Sequence, residues 1–265
     1  MTIKASGSSL SFSEIATEFG TPPSKNLGAY RVSQTFGALL NQPLDSNIPQ
    51  SGQIKFSDFY SKQLNIIVNF YGESKGGTRL NAKSRYNNGN AKNGLVNVVG
   101  GFKSKPSNTK GTHVKIHVNK TISSDKDNSN NVALKTGSWN SGTTLRVDVG
   151  SSGKILGAGG NGGKGADDEG QNGSNGNHGL GAQFSCTVAN SGTIAGGGGG
   201  GAGGGAGYQS DKNDDDLGSG GGGGGGAGSP SGEGGNGGDS WDKDGSSGND
   251  GDSDSGGGGG AGGEG

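Results

Sequence analysis

The chain has 265 residues, of which 64 are glycine and only 25% are hydrophobic. Ordinary globular domains are about 45–50% apolar, so the composition excludes one continuous packed core over this length. The 6 prolines and the lack of a Gly-X-Y period exclude collagen, and the single cysteine excludes an internal disulfide. No apolar run approaches the roughly 20 residues of a membrane span, and the N-terminus lacks a secretory signal pattern. Membrane insertion and secretion are therefore not predicted.

The two halves of the chain carry opposite charge. Residues 1–150 contain 18 Lys and Arg against 8 Asp and Glu. Residues 151–265 contain 4 against 15, together with 48 of the 64 glycines. The basic residues are scattered and rarely alternate with aromatic residues, so nucleic-acid binding is not predicted. The asymmetry instead indicates separate tasks for a basic N-terminal part and an acidic, glycine-rich C-terminal part.

Residues 1–62 are predicted to attach the chain to another protein through short helices. Ser11 and Glu14 fit a capping box that begins a helix, and Gly20 followed by two prolines ends it. A second short helix is predicted in KFSDFYSK, residues 55–62. Two short helices cannot form a core alone, so we expect another protein to cover their apolar side chains. Packing on the chain's own next domain is the alternative. The candidate attachment residues are Phe12, Ile15, Phe19, Phe56 and Phe59.

Residues 63–156 are predicted to form a small antiparallel β domain, either a sandwich or a prism-like layer. The segment THVKIHV (112–118) alternates apolar and polar residues, and TTLRVDV (143–149) does the same. On the first of these strands His113 and His117 would face outward. Two histidines without a third ligand do not predict a metal site.

An internal repeat lies at the end of this domain. Residues 145–157 (LRVDVGSSGKILG) resemble residues 184–196 (FSCTVANSGTIAG) at an offset of 39, and each copy leads into a glycine run. Self-similarity at a fixed offset is typical of a repeated structural unit. Cys186 matches Val147 in this alignment, so we expect its thiol to be buried and unreactive.

Residues 157–265 are predicted to form a bundle of polyglycine-II helices with an inserted β segment at 182–195. Glycine runs have no side chains to pack and lose much backbone entropy in α-helices or ordinary strands. Extended chains with three residues per turn have no internal hydrogen bonds and can instead bond to one another side by side. A disordered glycine-rich linker is the alternative. The runs are 157–165, 173–181, 196–207, 218–228, 232–238 and 256–265.

The connections between the runs predict a common tip. If the chain runs out and back along the bundle, the connections 166–172, 208–217 and 239–255 lie at the far end, and 229–231 lies at the near end. All three far connections are acidic, and the two longer ones contain aromatic residues. Loops on a rigid scaffold commonly carry recognition, and aromatic side chains often anchor binding. The candidate binding residues are Tyr208, Asp214, Asp215, Trp241, Asp242 and Asp244.

Neither catalysis nor a built metal site is predicted. The sequence lacks the G-x-S-x-G, H-E-x-x-H and Walker A motifs, so no catalytic residue is assigned. Residues 234–242 match one nonapeptide of a calcium β-roll, but such rolls need tandem copies. The EF-hand pattern also fails there, because Ser240 and Gly251 would occupy its first and last ligand positions. No cofactor is expected; weak binding of Ca²⁺ by the clustered Asp carboxylates stays open.

The glycine-rich part resembles a known family. A β layer that feeds glycine runs, with TIAGGGGGGAGGG (193–205) directly after a strand, is similar to the receptor-recognising adhesin at the tip of the long tail fibre of T-even-type phages. The resemblance covers residues 150–265. It implies a polyglycine-II sandwich whose distal loops contact a receptor or glycan on the bacterial surface, and an N-terminal part that attaches to the fibre.

The N-terminal part resembles a different group of phage proteins. SFSEIATEFG, KNLGAYR and SGQIKFSDFYSK, within residues 11–62, are similar to the leading segment of virion structural proteins from tailed phages of marine cyanobacteria. They do not match the N-terminus of the T-even adhesins. Together the resemblances imply a virion tail adhesin that is assembled in the host cytoplasm, binds other tail or fibre proteins and recognises a cyanobacterial surface. Two alternatives stay open: a structural tail protein whose tip meets another tail protein, and a secreted glycine-rich protein that binds calcium or ice.

Overall fold

The computed structural model describes most of the chain. None of its described helices has the length and apolar character needed to cross a bilayer. The described residues are 3–22, 25–30, 48–49, 51–62, 65–70, 80–82, 96–99, 109–126, 131–166, 169–211, 214–240 and 243–263. The helices among them are α1 (Phe12–Phe19) and two 3-10 helices (Leu27–Tyr30 and Phe56–Phe59). The strands are β1 (Asn65–Phe70), β2 (Leu80–Asn81), β3 (Val96–Val99), β4 (His113–Val118), β5 (Thr121–Ser123), β6 (Val132–Lys135), β7 (Thr144–Val149), β8 (Lys154–Leu156), β9 (His178–Gly181), β10 (Cys186–Asn190), β11 (Thr193–Ala195), β12 (Gly207–Asp211) and β13 (Asp214–Gly218).

The predicted capping box begins helix α1. The Ser11 hydroxyl oxygen accepts from the Glu14 N–H at 3.3 Å, and the Glu14 carboxylate accepts from the Ser11 N–H at 2.8 Å. Lys4 donates to the other carboxylate oxygen at 2.5 Å. The hydrogen bonds from Lys4 and Ser11 lower the pKa of Glu14 from 4.5 to about 2. The helix ends at Gly20, whose φ of 86° favours glycine.

The apolar residues of the N-terminal part form an aromatic cluster inside the chain. Ile15, Phe19, Tyr30 and Phe59 are fully buried, and Tyr30 packs against Phe19 and Phe59 at ring-centroid distances of 6.0 and 5.7 Å. The Tyr30 hydroxyl donates to the Gly20 carbonyl oxygen at 2.6 Å. The expectation that another protein covers Ile15, Phe19 and Phe59 is therefore wrong, because these side chains join the chain's own core, as the alternative held.

The two remaining candidate attachment residues lie closer to solvent. Phe12 is partly buried and contacts the Tyr30 ring at 5.9 Å, whereas Phe56 is 42% exposed. Phe56 is thus the one candidate of the five that presents a large apolar surface to solvent.

The β domain is a stack of parallel strands in three sheets, and not an antiparallel domain. The first sheet has the order β10-β7-β4-β1-β3, the second β11-β8-β5 and the third β2-β6-β9. All neighbours in these sheets are parallel except β1 and β3. From β4 to β11, consecutive strands belong to the first, second and third sheet in turn. Every third strand therefore pairs with the strand three earlier in the same sheet. The prediction of antiparallel pairing is wrong because alternation identifies the buried face of a strand but not its direction.

Apolar side chains form ladders through this stack. Ile116 pairs with Val147, which pairs with Val188, and Ile122, Ile155 and Ile194 form a second ladder. The members inside the stack are fully buried, whereas Val188 on the last strand of its sheet is 43% exposed. Burial of such side chains removes apolar area from water and stabilises the stack.

The offset of 39 holds for only one strand of the predicted repeat. Ile155 pairs with Ile194 at that offset, but Cys186 pairs with Leu145, which is 41 residues earlier. A slip of two residues keeps every side chain on the same face of the sheet. Cys186 thus lies on the expected face but is only partly buried, and burial raises the pKa of its thiol.

The described residues include seven extended segments outside the strands. We name them I to VII, and their ranges are 157–166, 170–177, 196–206, 219–228, 230–238, 243–252 and 255–263. Their hydrogen bonds join different segments and recur at every third residue. In segment II, for example, the N–H groups of Gln171, Ser174 and Asn177 donate to carbonyl oxygens of segment I at 2.8 Å. Extended backbone with this period satisfies its polar groups only through neighbouring segments.

Segment IV lies at the centre of this array. It exchanges backbone hydrogen bonds with segments I, III, V, VI and VII. Residues 218–226 are all buried, and all but Ser219 are glycine. A Cβ added at Gly222 or Gly223 would lie 1.8 or 2.1 Å from a neighbouring carbonyl oxygen. The sequence of segment IV is therefore a consequence of close packing on five sides.

Candidate functional site: the tip of the glycine segments

The hydrogen-bond register gives the direction of each segment. Segments I, III, V and VII run away from the parallel β stack, and segments II, IV and VI run back towards it. At the far end, Ala166 accepts from Gly220, Ser219 accepts from Gly263, and Gly238 donates to Gly220. The ends of segments I, IV, V and VII thus meet in one place, which we call the tip.

One predicted tip connection is shorter than expected. The sequence analysis assigned 239–255 to a single far loop, but residues 243–252 form segment VI, which donates to segment V from Gly245, Gly248 and Gly251. The tip connection is therefore only 239–242. Residues 252–255 turn at the opposite end, and the final glycine run leads outward instead of returning.

The acidic residues of that region are divided between the two ends as a consequence. Asp252 lies at the near end, where its carboxylate accepts from the N–H groups of Asp254 and Ser255 at 2.7 and 2.5 Å. Hydrogen bonds from Ser255 and Asp254 lower the pKa of Asp252. Its carboxylate holds a turn, so it is separate from the candidate binding residues.

Ser219 connects three segments at the tip. Its hydroxyl donates to the Gly238 carbonyl oxygen at 2.6 Å and accepts from the Gly245 N–H at 2.6 Å. The Ser219 carbonyl oxygen accepts from the Gly263 N–H at 2.9 Å. Ser219 is 1% exposed, so these bonds are shielded from water. Ser219 is not among the residues predicted from the sequence, although a lone serine within a long glycine run indicates such a position.

The connection between segments III and IV is a β-hairpin. Strands β12 and β13 pair in antiparallel register, with Tyr208 opposite Leu217 and Asp215 opposite Ser210. Asp214 stands at the first position of β13, opposite Asp211. Residues 208–211 and 214–217 of the predicted loop are thus paired strands, which place Tyr208, Asp214 and Asp215 on one hairpin.

The connection between segments V and VI is held by polar side chains on both sides. The Asp244 carboxylate accepts from the Ser240 N–H at 3.0 Å, and the Ser240 hydroxyl donates to the Lys243 carbonyl oxygen at 2.6 Å. Trp241 and Asp242 lie outside the described residues, between these anchors. Gly218, at the end of the hairpin, forms a parallel bridge with Lys243. The hairpin and the 239–242 connection are therefore neighbours at the tip.

The described part of the tip presents backbone together with acidic side chains and the exposed Lys164 and Lys243. Within the described ranges, no group of three or more His, Cys, Asp or Glu is arranged to hold a metal ion. Glu169, Asp239 and Asp244 are exposed there. The hairpin and the start of the 239–242 connection therefore lie side by side at one end of the array.

Comparison with known proteins identifies the family of most of the chain. Residues 79–265, more than half of the sequence, match the family model described as phage tail fibre adhesin Gp38. No curated protein and no solved structure matches the chain.

Proposed function

We propose a division of tasks within this chain, which belongs to the Gp38 family of phage tail fibre adhesins and is a virion tail protein that binds a receptor on its bacterial host. The tip of segments I to VII contacts the receptor, the segments act as a spacer, and the β stack and N-terminal part join the chain to other tail or fibre proteins. The observation that carries the proposal is the meeting of the hairpin and the 239–242 connection at one end of the array.

The spacer consists of polyglycine-II helices in this proposal. The period of three in the hydrogen bonds supports it, because polyglycine-II has three residues per turn and no internal hydrogen bonds. At about 3.1 Å per residue, an 11-residue segment such as III spans roughly 34 Å. Such a rod holds the tip away from the β stack without a hydrophobic core, which agrees with the low apolar content of the sequence.

The receptor contacts are assigned to Tyr208 and Trp241, with the neighbouring carboxylates of Asp214, Asp215, Asp242 and Asp244 as hydrogen-bond acceptors or Ca²⁺ bridges. Aromatic side chains stack on sugar rings and fill pockets at low entropic cost, which favours a surface glycan as receptor. The resemblance of residues 11–62 to cyanophage virion proteins favours a cyanobacterial host, in whose cytoplasm the tail is assembled. No reaction is proposed, and the chain acts by binding.

Adsorption of phage particles tests the assignment. Particles that carry Tyr208→Ala and Trp241→Ala together should adsorb to host cells at least about 10-fold more slowly, since truncation of a hot-spot aromatic costs about 2 kcal/mol or more. Asp254→Ala, an exposed change at the near end, is the matched control and should adsorb normally. A chelator arm tests the Ca²⁺ bridges separately. Unchanged adsorption of the double variant, at normal copy number in the particle, contradicts the assignment.

A further inference from the structure

The hydrogen bonds of central segment IV leave one of its six sides open. One third of its N–H groups donate to segment I, from Gly220, Gly223 and Gly226, and one third donate to segment VI, from Gly222, Gly225 and Gly228. Its carbonyl oxygens accept from segments III, V and VII in turn, also at every third residue. Donor and acceptor sides alternate around the segment, so a third donor side must lie between segments III and VII.

The remaining N–H groups of segment IV point to this open side. They belong to Gly221, Gly224 and Ala227, and no acceptor for them is present among the described residues. Gly221 and Gly224 are nevertheless buried, because segments III and VII rise on either side. Buried N–H groups without a partner are rare in folded proteins. The open side is thus a groove with a row of unpaired donors along its floor.

Unpaired carbonyl oxygens form the walls of the groove. In this array, the N–H and the carbonyl oxygen of one residue bond to two neighbouring segments that lie next to each other. The Gly198 N–H, for example, donates to segment IV, and the Gly198 carbonyl oxygen accepts from segment I. The same step directs the carbonyls of Gly199, Ala202 and Gly205 to the groove from segment III, and those of Gly257, Gly260 and Gly263 from segment VII. No donor to these six oxygens is present in the described part of the chain. Three donors and six acceptors, repeating every three residues, therefore face one position, and no described residue bonds to them there.

Three glycines on the walls of the groove have no backbone contact in the chain that is close enough to exclude a side chain. A Cβ added at Gly201, Gly204 or Gly259 would meet nothing closer than 3.3 Å. At comparably open positions, segments I, II, V and VI carry side chains such as Asn161, Lys164, Ser174, Asn236 and Asn249. An exposed glycine costs backbone entropy on folding without any packing gain. The lack of side chains at these positions is explained if another backbone lies in the groove, because a side chain would occupy its place.

We propose that the groove binds a glycine-repeat segment of another polypeptide, in the same extended three-residue-per-turn conformation. Such a segment accepts from Gly221, Gly224 and Ala227 and donates to both walls. Segment VI shows which sequence fits, because it also lies against three neighbours and has glycine at every third residue, 245, 248 and 251. The proposal is independent of receptor binding by the tip, since the groove runs along the side of the array.

The probe is a synthetic peptide of three Gly-Asn-Ser repeats with blocked termini, and its control is the same peptide with Ala for Gly. Each peptide is titrated into the ¹⁵N-labelled full chain up to about 5 mM, so that binding with a Kd as weak as ~1 mM would be detected. The glycine peptide should shift the amide resonances of Gly221, Gly224 and Ala227 in a saturable manner, and the alanine peptide should not. Gly201→Leu, whose side chain enters the groove, should abolish the shifts; Gly199→Leu, on the neighbouring residue but directed away from the groove, should retain them.

Three results would overturn the proposal. The first is no shift at these amides up to the highest peptide concentration, with the variants folded as judged by their other resonances. The second is equal binding of the two peptides, which would indicate a surface that does not read glycine. The third is a concentration-dependent dimer of the free chain that Gly201→Leu dissociates, which would make a second copy the occupant. If Gly201→Leu fails to fold, Gly259→Leu on the opposite wall replaces it, since its Cβ has no neighbour within 3.6 Å.

Discussion

The hydroxyl of Ser219 donates to the carbonyl oxygen of Gly238, 19 residues later, at 2.6 Å. The Ser219 hydroxyl oxygen also accepts from the Gly245 N–H at 2.6 Å, so one buried side chain joins segments IV, V and VI at the tip. The hairpin ends at Gly218, directly before this serine, and the 239–242 connection follows Gly238. Order at the candidate binding surface therefore depends on a residue that does not itself reach the surface.

Ser219→Ala should loosen the tip. The change removes both side-chain hydrogen bonds, but the Gly245 N–H keeps its bond to the Gly238 carbonyl oxygen. We therefore expect a loss of about 0.5–1.5 kcal/mol in the free energy of unfolding. Hydrogen exchange at Gly238 and Gly245 should accelerate more than exchange in the β stack. Ser247→Ala, an exposed change in segment VI, is the control. Equal exchange rates in Ser219→Ala and wild type would show that the hydroxyl does not hold the tip.

Substitution by alanine should have very unequal effects at two adjacent glycines of segment III. A Cβ at Gly200 would lie 2.0 Å from the Asn161 carbonyl oxygen, whereas a Cβ at Gly199 has no neighbour within 3.7 Å. Neither residue has a positive φ, so backbone strain does not distinguish them. Gly200→Ala should lower the free energy of unfolding by about 3 kcal/mol, and Gly199→Ala should change it by less than about 1 kcal/mol in either direction.

Denaturant unfolding of the two variants measures this difference. Similar midpoints for both would mean that segment III is not packed against segment I, and would favour the alternative of a flexible linker.

The isoleucine ladder predicts unequal costs for the same substitution. Ile155 is fully buried between Ile122 and Ile194, whereas Ile194 is on the last strand of its sheet and partly exposed. Ile155→Ala should lower the free energy of unfolding by about 2–5 kcal/mol, and Ile194→Ala by clearly less, because its site already opens to solvent. Thermal unfolding of both variants under the same conditions checks the order. A larger loss for Ile194→Ala would contradict the parallel stack.

Glu14 should make the N-terminal part sensitive to acid. Its pKa is about 2 in the folded chain against 4.5 without its partners, so its contribution to stability is complete above pH 4.5 and is lost as the pH falls through about 2. A carboxyl ¹³C titration should give a midpoint near 2, and Lys4→Met should raise it, since the Lys4 hydrogen bond is the largest cause of the low pKa. Lys154→Met is a charge-matched control. A midpoint above 4 in the wild-type chain would contradict the Lys4 and Ser11 contacts.

Local signals in the sequence were sufficient for single elements. The Ser11 and Glu14 spacing fixes the start of helix α1, and alternation in residues 113–118 places Val114 and Ile116 in the core, because both depend on neighbours a few residues away. Strand direction depends on the path of the chain between β4 and β7, and the alternation of apolar and polar residues does not indicate that path. The repeat around Ile155 and Ile194 did indicate the strand direction, since repeat copies that stack in register must be parallel.

Glycine spacing contains more information than glycine runs alone. Segment IV, with five neighbours, is nearly all glycine, and its position could be predicted from its composition. Segment VI has three neighbours and needs glycine only at 245, 248 and 251, so a search for runs interprets it as a loop. The candidate aromatics Tyr208 and Trp241 could be assigned to far connections, because chain reversal between consecutive segments requires it. The length of each connection could not be predicted, since it depends on which residues pack against neighbouring segments.

Attachment of the chain to the virion should depend on Phe56. Phe56 is 42% exposed, and Phe59, three residues later, is fully buried against Phe19 and Tyr30. Phe56→Asp should therefore leave the thermal unfolding temperature nearly unchanged and reduce incorporation into particles, because it places a charge in an apolar contact with the tail. Phe59→Asp buries an unpaired carboxylate and should unfold the N-terminal part itself. Ser13→Asp adds the same charge at an exposed position of helix α1 and serves as control. Quantifying the chain in purified particles decides the matter: a normal copy number with Phe56→Asp, alongside a normal unfolding temperature, would exclude this side chain from the attachment surface.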